Sequence, residues 1–237
     1  MQDKLIFIMQ GLCAFSCFWQ FVEYKALQKY FLSIAEDKNF LIKGHLLKLF
    51  LSLGIVASIF LFFDMRASLI LLGLYFMMNS LLKSSFNGGS DYMTLLVVMG
   101  LALISILPHP KLQQMVLLYI AIQTVFSYTI AGLVKAKKQK WWTGVAIAEI
   151  LNSKNYSVPL SISKMTPNKA LMMGAGLFIL IFELSFPLCL LSLTSLKIYL
   201  VMAFLFHLLN FYTFGLNRFV WSWLASYPSL FILISIL

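Results

Sequence analysis

Charge is what this sequence has least of. Only 11% of its 237 residues are Asp, Glu, Lys or Arg, against roughly a quarter in soluble domains. A chain so poor in charge cannot cover a water-exposed globule, which excludes an ordinary soluble fold. Cysteine and histidine are scarce too, three of each, with no Cys-x-x-Cys spacing. That excludes a disulfide framework and a zinc site on the usual ligand spacings. Cys13 and Cys17, four residues apart, share a helix face and Cys189 stands alone, so buried free thiols are expected. Acid is the rarer sign, 8 residues against 18 Lys and Arg, and the formal net charge is +10. That excess suits an anionic leaflet, and nothing in it calls for nucleic acid. There is no internal repeat, which argues against an inverted-repeat transporter.

What is present is apolar sequence: 61% hydrophobic residues and a mean hydropathy of +0.91. Apolar runs, uncharged but for Lys48 and Glu183, cover 5–22, 44–63, 67–82, 92–107, 115–134, 171–195, 198–216 and 219–237. A span needs about 20 apolar residues, so the two runs of 16, 67–82 and 92–107, are short. Backbone polar groups in lipid need internal partners, so these runs must be helices. The expectation is an all-α polytopic integral membrane protein, one domain over 1–237, with about eight hydrophobic helices. The run 5–22 has no small-x-small cleavage site after it and reads as a retained helix rather than a signal peptide. The polar stretch 35–43 reads as an interfacial loop or helix, and 143–170 as the one long connection, placed to cover a cavity. Fourteen of the 18 Lys and Arg fall at alternate connections, counting Lys48 near the start of the run 44–63, which puts Lys135 on the cytoplasmic side.

An ionisable side chain inside a span costs about 2.5–3.5 kcal/mol and invites a functional reading. Glu183 lies mid-run with Pro187 one turn on; the missing proline N–H loosens the helix at the Glu183 carbonyl. The plainer reading is a structural Glu paired in a helix interface. His207 and Asn210 share a face three residues apart, either as a polar pocket or as satisfied core hydrogen-bonders. In "SSFNGGSDYM", Asn87 and Asp91 are turn and cap residues, or the mouth of a pocket where glycines admit a ligand. In "TIAGLVKAKKQKWWTG", Lys137, Lys138 and Lys140 with Trp141 and Trp142 read as a headgroup anchor. Lys135 either snorkels with them or turns inward, where Gly132 one turn earlier leaves room and a neutral amine is a competent general base.

"QTVFSYTIAGLVKAKKQKWWTG" carries the spacing Tyr-x-x-Ala-Gly-x-x-Lys…Trp, and "FHLLNFYTFGLNRFVWSWLASYP" looks like Phe-His…Phe-x-x-Gly…Leu-Ala, with Phe211 four residues before Gly215. In these the chain resembles the vitamin K-dependent γ-glutamyl carboxylase superfamily, whose bacterial members are horizontally transferred transmembrane (HTTM) domain proteins. "FNGGSDYMTLL" and "FELSFPL" fit more loosely, and the resemblance covers roughly residues 80–230. It implies Lys135 as the base, Gly132, Trp142 and Gly144 as the motif's frame, and His207 in the second signature. It further implies an extracytoplasmic site, a quinone or reduced vitamin K-like cofactor, and carbanion formation on a peptide Glu.

The turn at Asn87–Asp91 departs from the carboxylase, which has a His there, and the spacing from Lys135 to the tryptophan is irregular. No counterpart is expected for the large segment that places the glutamates in the animal enzyme, so the expected chemistry is other than γ-carboxylation proper. Some HTTM proteins resemble the membrane component of peptide-toxin maturation systems. The expected function is therefore a membrane enzyme or peptide-maturation factor, carboxylase-like and acting with a quinol, in a bacterial inner membrane. Its catalytic residues would be Lys135, Glu183 and His207, and its cofactor-binding residues Asn87, Asp91, Trp142 and Asn210, with no metal. Membrane lipids and a peptide substrate or membrane partner protein are the expected partners. The alternative is a non-enzymatic subunit that scaffolds or carries a peptide or lipid.

Overall fold

In a computed structural model of the chain, the described residues are 1–29, 40–82, 88–154, 156 and 158–237. Asn87 and 35–39 of the polar stretch lie outside them. Among the described residues every regular element is a helix: α1 (Gln2–Ala26), α2 (Phe40–Leu61), α3 (Ala67–Leu82), α4 (Gly88–Ile106), α5 (Pro110–Ala136), α6 (Gln139–Trp142), α7 (Val145–Leu151), α8 (Leu160–Ser163) and α9 (Lys169–Ser185). A 3₁₀ segment (Phe186–Leu191) leads to α10 (Leu193–Phe214), α11 (Asn217–Ser226) and α12 (Pro228–Ile234). Six of the described helices are long and apolar enough to cross a membrane, and Ala67–Met78 is a shorter apolar one. The protein is an all-α polytopic integral membrane protein.

The helix ends follow local chemistry. At the Asp64-Met65-Arg66 turn the Asp64 carboxylate accepts from the Arg66 N–H at 2.9 Å, a short side-chain turn that lets α3 start within five residues of α2. Ser192 and Asn168 cap α10 and α9 by accepting from Ser195 and Leu171 N–H at 3.1 Å each. Gly215, at φ 70°, ends α10 in the left-handed conformation that glycine adopts without a Cβ penalty. The run 219–237 differs from its reading as one span. Pro228 has no N–H to continue a helix, and the chain forms two short helices on either side of Tyr227.

The chain divides into two compact units, the boundary falling inside α5. In the first, Met1–Ile120 with Trp221–Ile232, α1 to α4 pack as successive hairpins and α1 also meets α4. Its core includes Cys13, Cys17, Phe21, Leu51, Leu71 and Leu101, each fully buried. The thiols are buried and free, as is Cys189, and the Cys13 and Cys17 sulfurs stand 3.9 Å apart. The second unit, Ala121–Val220 with Leu233–Leu237, holds the end of α5, the short helices α6 to α8, α9, the 3₁₀ segment and α10.

Candidate functional site

In the second unit, α5 turns Thr124, Tyr128 and Gly132 inward at four-residue steps, with Lys135 a turn further along the same face. Gly132 sets how near the next helix can come. A Cβ there would stand 2.9 Å from the Leu184 nitrogen and 3.0 Å from the Glu183 Cβ. Without it, the α9 backbone at Glu183–Leu184 rests on α5, the close approach that small residues permit between membrane helices.

That approach delivers Glu183 to Lys135. The Lys135 ammonium donates to both carboxylate oxygens, Oε1 and Oε2, at 2.6 Å each. Glu183 is 3% exposed and the lysine 22%, so the acid is sealed and the amine forms the accessible edge. On its other side Nζ lies 5.3 Å from the centre of the Trp141 ring, a cation–π distance. Lys135 thus turns inward, whereas Lys137, Lys138 and Lys140 are exposed and Lys140 pairs with exposed Glu149 at 2.6 Å.

Pro187 acts here as its chemistry dictates. The α-helix stops at Ser185, and the Phe186 N–H takes the Glu183 carbonyl that a residue at 187 would otherwise have taken. The 3₁₀ turn that follows stacks the Phe186 ring on Tyr128 at 3.9 Å between centroids. The Tyr128 hydroxyl lies 2.7 Å from His207 Nε2. His207 is also buried, at 3% exposure, in agreement with the cost of showing an imidazole to lipid. The Phe206 and Phe219 rings also lie against it.

Of the residues singled out in the sequence, Lys135 and Glu183 come into direct contact, and His207 is tied to the same α5 face through Tyr128. Asn210 is half-buried on α10. The Trp142 indole N–H donates to the Ala136 carbonyl at 2.7 Å, closing the C-terminus of α5. Asp91 belongs to the first unit, fully buried, accepting from Gln20 Nε2 at 2.7 Å and from the Tyr24 hydroxyl at 3.2 Å. Tyr75 extends that network, donating to Gln20 Oε1 at 2.7 Å. Tyr128 opens the Tyr-x-x-Ala-Gly-x-x-Lys spacing but was given no role of its own. Its signal was its place seven residues before Lys135, two turns back on one face.

Within the same unit, 143–152 and 166–172 line an open cleft of about 720 Å³, with Thr143, Glu149, Asn152, Thr166, Lys169 and Met172 among its walls. The connection 143–170 thus helps to form a cleft, at its own ends.

A helical membrane protein with an acid–base pair set between two spans defines the class. Within that class, the HTTM domain family matches residues 101–234, more than half of the chain. The chain belongs to the HTTM domain family and is a membrane protein related to the carboxylases. The matched stretch contains Lys135, Trp142, Glu183, His207 and Asn210, and leaves Asn87 and Asp91 outside. No curated protein and no solved structure matches the chain.

Proposed function

We propose that this protein is a membrane enzyme or peptide-maturation factor, working through Lys135, Glu183 and His207 on a peptide or lipid-soluble substrate in a bacterial inner membrane. The observation that carries this reading is the two-pronged 2.6 Å contact of a part-exposed amine with a sealed carboxylate inside apolar helices. Moving one proton from Nζ to Glu183 turns an ion pair into two neutral groups and leaves the net charge of the pair at zero. The shift therefore avoids creating an uncompensated charge in a medium where one is costly. It leaves a neutral amine at the accessible edge, the form a general base needs. Tyr128 and His207 hold a second exchangeable proton two turns along α5.

The resemblance to the carboxylases points to a hydroquinone of the reduced vitamin K kind. Its acidic hydroxyls suit an amine–carboxylate pair, and the Trp141 ring beside Nζ suits a flat neighbour. When bound, such a group supplies reducing electrons for oxygen chemistry, and Lys135 and Glu183 are the residues that would hold it and keep its hydroxyl proton.

A second reading, a scaffolding subunit, is favoured by the mutual satisfaction of Lys135 and Glu183, which a static staple also needs. Lys135→Arg separates the two, because guanidinium keeps the charge and a forked contact but does not deprotonate. In lipid nanodiscs supplied with a reduced naphthoquinone, the enzyme reading expects oxygen-dependent quinol oxidation that falls by about 100-fold or more in Lys135→Arg. Lys137→Gln and Lys138→Gln should keep the wild-type rate. Turnover no faster than in empty nanodiscs would refute the quinol-linked enzyme, and an unaffected Lys135→Arg would refute the base.

A further inference from the structure

We infer that the cleft between 143–152 and 166–172 is a binding site for an anionic phospholipid, with its phosphodiester at Lys169 and its acyl chains along the apolar wall. The charge is one-sided. From 137 to 169 the chain carries six lysines and one acid, Glu149. That acid lines the cleft, but Lys140 already neutralises it at 2.6 Å. Lys169 also lines the cleft, is exposed, and meets no carboxylate among the described residues. The charge left over in the cleft is therefore positive.

Asn152 adds an amide NH2 of the kind that donates to phosphate oxygens, while the Thr143 hydroxyl is engaged with carbonyls of its own turn. The Thr166 hydroxyl has one proton to give, to the Ser163 carbonyl at 2.9 Å or to Asn152 Oδ1 at 3.4 Å, and the second distance brings the two walls within reach of each other. Gly144, at φ 75°, packs its bare Cα against the Met172–Met173 backbone, and Gly176 does the same against the Trp141 carbonyl. The cleft is thus held open by backbone packing and needs no ligand to form it.

A lipid rather than an acidic peptide fits the remaining surface. Val145, Ala148 and Met172 line the cleft with apolar atoms. Leu160, Met165, Leu171 and Met173 continue that character on the exposed surface nearby in sequence. Trp142 and Tyr156, also exposed, are the residue types that settle at headgroup depth. A peptide of carboxylates would satisfy Lys169 and leave these apolar groups in water. A zwitterionic lipid would bring its own ammonium to the lysines.

The test is native mass spectrometry of the full chain extracted from bilayers with equal phosphatidylcholine and phosphatidylglycerol. Wild type is expected to retain phosphatidylglycerol preferentially. Lys169→Gln should cut that preference by about fivefold, Lys169→Arg should keep it, and Lys111→Gln should leave it unchanged. Thermal unfolding of each variant in the same detergent checks that the fold is intact. Equal preference in Lys169→Gln and wild type overturns the inference. So does displacement of the bound lipid by a poly-glutamate peptide, which would mark a peptide site. Displacement by millimolar inorganic phosphate would mark a free-phosphate site and overturn it too.

Discussion

Gly132→Ala tests whether helix approach, rather than side-chain reach, makes the Lys135–Glu183 pair. The new methyl would meet the Leu184 nitrogen at 2.9 Å, the Glu183 Cβ at 3.0 Å and the Glu183 carbonyl carbon at 3.1 Å. Relaxed carbon contacts lie at roughly 3.5–4.0 Å, so α9 must retreat by about half an ångström to one ångström. Two of the three obstructing atoms are backbone, which cannot swing aside as a side-chain tip does. Overpacking of this kind costs about 1–3 kcal/mol, while alanine recovers up to about 1 kcal/mol of helix propensity. The net expectation is a loss of about 1–2 kcal/mol, seen as an unfolding temperature lower by roughly 2–8 °C in detergent. Gly174→Ala supplies the control. It lies on α9 itself, and nothing stands within 4 Å of its Cβ position. That variant should be neutral or slightly stabilised, through propensity alone. A double-mutant cycle of Gly132→Ala with Glu183→Gln should show coupling, since the retreat of α9 stretches the two 2.6 Å contacts. If Gly132→Ala proves as harmless as Gly174→Ala, the close approach does not position the pair.

Glu183→Gln leaves the Lys135 charge without its acid. Because the lysine is 22% exposed and keeps some water, the expected loss is about 1–3 kcal/mol rather than that of a fully buried pair. Lys135→Met with Glu183→Leu should recover stability to within about 1 kcal/mol of wild type by thermal unfolding, and still abolish any turnover. Trp142→Phe removes the indole N–H that closes α5 on the Ala136 carbonyl. It should cost about 0.5–1.5 kcal/mol, with faster amide exchange confined to the last turn of α5. Tyr128→Phe keeps the stack on Phe186 but takes the hydroxyl from His207 Nε2. It should destabilise by about 1–3 kcal/mol, and shift the His207 ring resonances in nuclear magnetic resonance.

Class was legible in the sequence because it rests on sums. Low charge, long apolar runs and the demand that backbone groups in lipid be paired leave only helices, whatever packs against what. Boundaries with a local cause were legible too: the Asp64 turn and Pro187 below Glu183 each depend on residues within a turn of each other. The division of 219–237 at Pro228 was equally local and was passed over because apolar composition runs straight through it. Partners were another matter. Nothing in the order of residues shows that Glu183 meets Lys135 instead of another base, or that Asp91 spends its carboxylate on Gln20 and Tyr24. Nor does it show that Tyr128 holds His207, or that Trp142 serves the end of the helix before its own. Those pairings join residues as far as 79 positions apart. They are decided by which helix faces lie against each other and how closely, and that distance, at Gly132, depends on an atom the sequence leaves out.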